Sequence, residues 1–468
     1  MMFLVTLLVA NGVFLATAIV FTWDSVREQE WRAVKVGFGG VFGMIFLGGV
    51  ILFVPGFRPF VAVISGTLIL LFLLCLIPGR PNPKALKGSR GYVVRDVQRF
   101  DERDIVFARN RSLPPGSEVY KRYYQMHPER EQRDAKRRAA GGPLGKLGSI
   151  DGGHRPNVAM LKGTFHLPPS VGRKENVEPP PEPSAFPVDP KEATERIKGF
   201  ARHLGADLVG VCRLDPRWAY SHRGEIFYDN WDDWGKEIPL PLPFAIVVAV
   251  EMDAELVRGA PHTSSVVESG VNYAKGAYIS TVLASFIAHL GYPAVAHHLR
   301  HYDLVLVPVA VDAGLGELGR FGYLITKEFG PRVRLAAVTT SLPLVPDKPV
   351  DLGAQEFCAR CLKCANTCPS NSIPGGEKVV FNGVEKWKLD EEGCFDYWSK
   401  VGTDCNICMG VCPYSRPNRS LHRLTRWMVA KSPLGRALFP CIDNIVYGRK
   451  WHSGNVPPWI DYSMGREA

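Results

Sequence analysis

Three membrane-crossing helices, an α/β domain and a small cysteine-rich module make up the architecture that the 468-residue sequence predicts. Three observations carry this reading. Three long apolar runs stand within the first 78 residues, short apolar strands alternate with helical patterns between residues 190 and 340, and eight of the eleven cysteines fall between Cys358 and Cys412. At 46% hydrophobic and 22% charged, the chain is too apolar for disorder and long enough for two or three domains. Its cysteines are too sparse for a disulfide scaffold.

Residues 2–22, 36–57 and 59–78 contain no Asp, Glu, Lys or Arg, and Arg58 separates the last two runs. Each is long enough to cross the hydrocarbon layer as a helix, the form that satisfies its own backbone there. A cleaved signal peptide is the alternative for the first run, but such a peptide carries a basic flank, and two further apolar runs follow at once. Gly39 and Gly43 form a GxxxG in the second span, a spacing that lets helices approach closely. The loop after the first span holds Arg27, Arg32 and Lys35, and Arg80, Lys84, Lys87, Arg90, Arg95 and Arg99 follow the third. Under the positive-inside rule the N-terminus is expected outside, with the region after residue 79 in the cytoplasm, as an inner-membrane protein of three spans. No twin-arginine pair precedes the first span.

The formal net charge of +10 resides in one stretch: residues 79–180 hold 21 Lys+Arg against 11 Asp+Glu, and the remainder balances at 35 each. With its many Pro and Gly and the Pro run at 179–183, segment 80–190 reads as an irregular connector. Nucleic-acid binding is one reading of such basicity, but aromatic interleaving and a recognisable fold are missing. A polybasic stretch directly after a span is expected on anionic lipid headgroups. Segment 191–348 returns to order. Ile197, Phe200, Ala201 and Leu204 stand at helical spacing, residues 208–211 and 245–250 read as buried strands, and 273–290 as a long helix. Residues 304–311 and 333–339 are expected as further strands, which completes an α/β pattern.

Cys358-x2-Cys361-x2-Cys364-x3-Cys368-Pro369 is the bacterial ferredoxin run for a [4Fe-4S] cluster. Cys394-x10-Cys405-x2-Cys408-x3-Cys412-Pro413 repeats it with the first ligand displaced upstream. In two-cluster folds the fourth cysteine of each run serves the other cluster, so one set is Cys358, Cys361, Cys364 and Cys412, and the other is Cys405, Cys408, Cys394 and Cys368. Structural zinc is the alternative, and eight cysteines with two Cys-Pro endings argue against it. Residues 349–420 are thus expected to be a ferredoxin-like module, and Cys75, Cys212 and Cys441 to be ordinary buried thiols. The extension 421–468, with Trp427, Trp451 and Trp459, is expected to pack over this module.

Over residues 190–420 the sequence resembles the corrinoid iron–sulfur reductive dehalogenases. The resemblance rests on Lys198-Gly199-Phe200-Ala201, Leu204-Gly205-Ala206-Asp207, Leu214-Asp215-Pro216-Arg217, Leu290-Gly291-Tyr292, Ala313-Gly314-Leu315-Gly316-Glu317 and Phe329-Gly330-Pro331-Arg332-Val333-Arg334, in family order before the cysteines. It implies a nitroreductase-like corrinoid-binding α/β domain that holds a base-off cobalamin. Two [4Fe-4S] clusters would reduce this corrinoid, and an organohalide would be the substrate. By register the family's proton-donating Tyr falls on Tyr273, 17 residues before Leu290, and its basic partner on Arg334. A cation beside a phenol favours phenolate and makes the phenol a better acid. The 313–317 turn, with Gly314, Leu315, Gly316 and Glu317, is expected to approach the flat cofactor. His301 stands where respiratory members have Asn, in a loop two residues longer with His297 and His298.

The family pairs with a small three-helix membrane protein that bears Glu-x-Glu between its first two helices. Glu28-Gln29-Glu30 sits in that loop, so residues 1–79 look like such an anchor fused to the catalytic subunit. The electron donor is expected to be the quinone pool or a cytoplasmic low-potential ferredoxin or flavodoxin, with membrane lipid as a partner and no nucleic acid. Two other readings stand beside this one: an epoxyqueuosine reductase-like corrinoid enzyme, and a membrane-bound iron–sulfur electron-transfer protein.

Overall fold

The computed structural model describes residues 1–140, 155–228 and 230–460. Part of the basic connector, 141–154, and the end of the C-terminal extension lie outside these residues. Helices α1 (Met2–Arg27), α2 (Trp31–Phe53) and α3 (Arg58–Leu76) have mean hydropathies of 2.3, 2.2 and 2.6 over their most apolar windows, and each is long and apolar enough to cross a membrane. The expected Gly39–Gly43 contact is displaced. Both glycines face open space, and α2 meets α1 through Gly37 at Thr22, Gly40 at Ala18 and Gly48 at Asn11. Asn11 Nδ2 donates to the Met44 carbonyl at 3.1 Å, so the donor end of this amide inside the span is bonded across the helix pair.

The loop between α1 and α2 is docked onto the soluble part. Glu28 lies 3.0 Å from Arg419 Nε and 3.1 Å from His422 Nε2, and Glu30 accepts from Arg416 at 2.6 Å. These partners belong to or precede the C-terminal helices α8 (Ser420–Lys431) and α9 (Pro433–Tyr447), which pack against the membrane helices. The Glu-x-Glu loop therefore joins the anchor to the cysteine-rich end of the molecule.

Segment 80–190 departs from the irregular connector read in its sequence. It carries helices at Val106–Arg111, Glu118–Met126, Pro128–Ala140 and Arg155–Thr164. Its basic residues are also largely committed to protein partners. Buried Arg109 and Arg137 bind Asp134 at 3.0 and 2.8 Å, and Arg137 also reaches Glu392 at 2.6 Å and Asp396 at 2.7 Å. Unpaired burial of these guanidinium groups would cost several kcal/mol each, so the helix Glu391–Val401 supplies carboxylates to them. Charge counting detects the surplus, but not the acidic partners some 250 residues away.

The central sheet has four strands: β1 (Leu208–Arg213), β2 (Phe244–Glu251), β3 (Ala294–His297) and β4 (Val333–Thr340). Their order is β1-β2-β4-β3 and every pairing is antiparallel. Both faces are covered. On one, Ile197 of α4 (Pro190–His203) and Ile279, Leu283 and Ile287 of α5 (Thr263–His289) pack on Ile246, Val248, Ala336 and Val338. On the other lie Trp218, Leu304 and Val309 against Ala245, Val247 and Ala337. Double burial accounts for the unbroken apolar run in β2, since neither set of alternate side chains meets water. Residues 304–311 do not form the expected strand: Leu304 makes one bridge to Ala219, and α6 (Leu306–Asp312) follows. Pro308 has no N–H for a ladder, but it fits the first turn of a helix, where that donor has no partner.

The cysteine-rich module is built from short helices. Those at Lys363–Thr367 and Ile407–Val411 pack on one another, after α7 (Ala354–Cys361). In the extension, Trp451 covers Gly410 and donates its Nε1–H to the Ala260 carbonyl at 2.8 Å, whereas Trp427 and Trp459 are exposed. Cys441, expected buried, is also exposed.

Candidate functional site

Sheet register and one helix crossing assemble the site. Arg334 shares its face of β4 with Ala336 and Val338, the face covered by α5. Gly276 of α5 crosses directly over Ala336, where a Cβ would come within 3.2 Å of the Ala336 methyl. One and two turns earlier along α5, the side chains of Tyr273 and Ser269 therefore meet Arg334. The guanidinium carbon stands 5.2 Å from the Tyr273 ring centroid, over its face.

Arg334 is buried, and its charge is answered from the cysteine module. Its Nη2 donates to Asp404 Oδ2 at 3.1 Å and to Ser269 Oγ at 2.6 Å. Ser269 in turn donates to Asp404 at 2.6 Å, and Asn406 Nδ2 donates to Asp404 Oδ1 and to Ser265 Oγ, each at 2.8 Å. Burial opposes the Arg334 charge, but the phenol of Tyr273 and the Asp404 carboxylate outweigh it and hold the guanidinium above its ordinary value. Asp404 and Asn406 flank Cys405 in the chain. The network thus connects the aromatic hydroxyl side of α5 to a cysteine loop.

The eight clustered cysteines are close neighbours. Cys412 is surrounded by Cys358, Cys361 and Cys364, and Cys405 by Cys394 and Cys368. Cys408 adjoins Cys405, Cys394 and Cys368, and it also senses Cys364. The eight thiols are thus neighbours within one module. Burial pushes the Cys358 and Cys405 thiols up to about 12, so metal ligation has to displace protons. Arg320 holds the first loop by donating to the Cys358 carbonyl at 3.0 Å and stacking over Trp387. Clustered thiols on short helices suit iron–sulfur ligation.

The remaining candidates lie elsewhere. Gly314 and Gly316 each approach backbone, the carbonyls of Lys348 and Ile325, and Leu315 is in the core. Glu317 accepts from the Leu352 and Ala354 amides at 2.7 and 2.9 Å, where the cysteine-bearing α7 begins. In this structure the 313–317 turn is a joint between domains. His301 stacks on His297, whose Nε2 is 2.9 Å from Thr339 Oγ1, on the sheet face opposite Arg334. It lines a polar cavity of about 470 Å³ together with Arg223, Glu225, Tyr302 and Asp303. Among the described residues no His, Cys, Asp and Glu side chains converge on a single-ion site.

The 4Fe-4S dicluster domain family matches residues 357–415. The tetrachloroethene reductive dehalogenase of Sulfurospirillum multivorans is 34% identical over 294 residues, covering 56% of this chain and 58% of that protein. Among solved structures, a reductive dehalogenase described in terms of B12-dependent dehalogenation aligns with a TM-score of 0.61 at 29% identity, over 80% of this chain and 50% of that one. Catabolic reductive dehalogenase NpRdhA in complex with 3-bromo-4-hydroxybenzoic acid aligns at 0.60 and 27%, over 81% and 50%. The chain is homologous to the reductive dehalogenases. It spans about half the length of the relatives it matches.

Within this homology, several residues that position the site carry no sequence signal of their own. Asp404 and Asn406 read as loop residues around a cysteine, and Ser265 and Ser269 as small residues on a helix. Tyr323 is partly buried and lies near Tyr273 and Arg334 as well as Cys408 and Cys394. Arg332, in the same Pro-Arg-Val-Arg run as Arg334, lies where the sheet meets the cysteine module. There it donates to the Ser415 carbonyl at 2.7 Å and to Glu251 at 3.0 Å, clamping the sheet to the cysteine module.

Proposed function

We propose that this chain is a membrane-anchored reductive dehalogenase that replaces the halogen of an organohalide with hydrogen. It would use two electrons and a proton delivered by Tyr273. The observation that carries the reading is the Tyr273–Arg334 pair, tied through Asp404 to the Cys405 loop, in a chain homologous to reductive dehalogenases. The two groups, Cys358, Cys361, Cys364 and Cys412, and Cys368, Cys394, Cys405 and Cys408, are the proposed ligands of two [4Fe-4S] clusters.

A base-off corrinoid, when bound, supplies a cobalt centre that passes electrons to the carbon–halogen bond. The residues at hand fit a polar ligand there: Arg334 Nε and Asn272 Oδ1 are buried without a hydrogen-bond partner, next to Tyr273 in space or in the chain. Tyr273 gives its hydroxyl proton to the carbon that loses halide, and Arg334 lies against the phenolate that results. Asp404 and Ser269 fix the guanidinium so that its charge is in place before that phenolate forms. Tetrachloroethene and 3-bromo-4-hydroxybenzoic acid, named with the relatives, both carry halogen on an sp² carbon, and that class is the proposed substrate.

The soluble part is proposed to face the cytoplasm, on the loop charges that flank the three spans. The test is purified protein reconstituted with corrinoid and iron–sulfide, given a chloroalkene or bromophenol and a low-potential viologen donor. The expected result is about eight irons and one cobalt per chain, as the motifs require, with stoichiometric halide release. Eight irons with no bound corrinoid and no halide would instead support an electron-transfer protein.

A further inference from the structure

A cavity of about 400 Å³ lies where the membrane helices meet the cysteine module. Thr17 and Phe21 of α1 and Phe72 of α3 form its membrane side. Phe21 and Phe72 stand within two turns of the C-terminal ends of their helices, and Thr17 one turn before Phe21. The opposite wall includes Phe357 and Tyr414. Phe357 precedes Cys358, and Pro413 and Tyr414 follow Cys412, so this wall is continuous in the chain with two thiols of one proposed cluster. One end is polar, where Arg416, His422 and Asp443 contribute to the lining. There His422 Nε2 is 3.1 Å from Glu28 of the α1–α2 loop.

We propose that this cavity binds the ring of a lipid-soluble hydroquinone, which feeds electrons to the cluster held by Cys358, Cys361, Cys364 and Cys412. The occupant has to match three features at once. It enters from the bilayer, because α1 and α3 form one wall. Its body is an apolar ring or tail, because Phe21, Phe72, Phe357 and Tyr414 surround it. Its polar edge meets an imidazole paired with a carboxylate. A hydroquinone has this form, whereas a protein donor would need an exposed surface beside the cluster.

The chemistry balances. The hydroquinone loses two electrons and two protons to become quinone. The electrons pass singly into the cluster, one proton goes to His422 and on toward Glu28, and the other goes to water at the loop. Together with dehalogenation, hydroquinone and organohalide yield quinone, the hydrodehalogenated product, one proton and halide. The inference rests on the cluster and dehalogenase reading above.

The test uses the full-length holoprotein in phospholipid vesicles with a short-tailed azido-naphthoquinone as photolabel. Label should map to the ends of α1 and α3 or to residues 413–447, and excess unlabelled naphthoquinone should remove it. Val446→Trp, which fills the cavity, should lower labelling at least tenfold, and Val446→Ala should keep it. Equal labelling of wild type and Val446→Trp, label elsewhere, or displacement by added phospholipid as readily as by quinone would overturn the proposal. Viologen-driven halide release and iron content are measured on the same wild-type sample. Halide release with eight irons but without specific label rejects the quinone site alone, whereas missing clusters or missing halide release reject the reading beneath it.

Discussion

Replacing Asp404 with Asn removes one charge from the network and keeps its shape, which makes the cost of the Arg334 pair measurable. The two side chains are 9% and 11% exposed and 3.1 Å apart. At an effective dielectric near 20, the attraction over that distance is about 5 kcal/mol. Breaking a buried pair from one side typically costs about 3–5 kcal/mol, because the remaining charge stays desolvated. Ser269 and Asn406 can still bond an amide, so the low end of that range, about 3 kcal/mol, is expected for Asp404→Asn. At roughly 2–4 °C per kcal/mol for a domain of this size, the apparent melting temperature should fall by about 6–12 °C. Glu118→Gln, which breaks the exposed Lys121 pair, serves as the control and should leave melting unchanged. Thermal unfolding in detergent at fixed pH, followed by tryptophan fluorescence, reads both. An Asp404→Asn protein that melts with the wild type would refute the claim that this pair locks the sheet to the cysteine loop.

The three loop histidines make a pH prediction. Burial holds His297 and His301 at about 4 and His298 at about 3, so the fold keeps them neutral while the unfolded chain protonates near 6.5. Stability is full above pH 6.5 and falls as acid is added toward 4, by up to about 1.4 kcal/mol per pH unit per histidine. Glu102 and Glu317, pushed by burial to about 8 and 7, act in the opposite sense, so the comparison is between proteins. His298→Gln should show a shallower loss of melting temperature between pH 7 and 5, and identical slopes would count against neutral burial. In the anchor, Gly37→Leu collides with Thr22 and should lower stability by about 1–3 kcal/mol, whereas Gly39→Leu faces open space and should not. Equal melting of the two would contradict the helix contact. Glu28→Gln should loosen the docked loop and raise tryptic cleavage after Arg419 several-fold, and an unchanged cleavage rate would show that the loop does not depend on that carboxylate.

Legibility in the sequence followed the range of the interaction. The spans, β2 and the cysteine spacing are local patterns, and the structure carries each of them near its expected position. Arg334 and Tyr273 were reached through family resemblance, since neither has a local signature. Asp404 was invisible because its partners Ser269 and Arg334 lie 135 and 70 residues away, and nothing in Asp404-Cys405-Asn406 distinguishes a network from a loop. The same limit hid the carboxylates that answer Arg109 and Arg137. Composition counted the basic surplus correctly and assigned its partner to lipid, where the fold supplies Glu392 and Asp396. Residues 304–311 differ from a strand for another reason: their β-branched content suits a ladder, but Pro308 decides for a helix.

The central claim is proton delivery from Tyr273 during dehalogenation, and Tyr273→Phe tests it most directly. The substitution removes the hydroxyl and keeps the ring under Arg334, so iron and cobalt content should match the wild type. Viologen-driven halide release, followed by ion chromatography at pH 7, should fall by a factor of about 10²–10⁴, the usual contribution of a positioned general acid. Wild-type halide release from a Tyr273→Phe protein with full cofactor content would contradict the account.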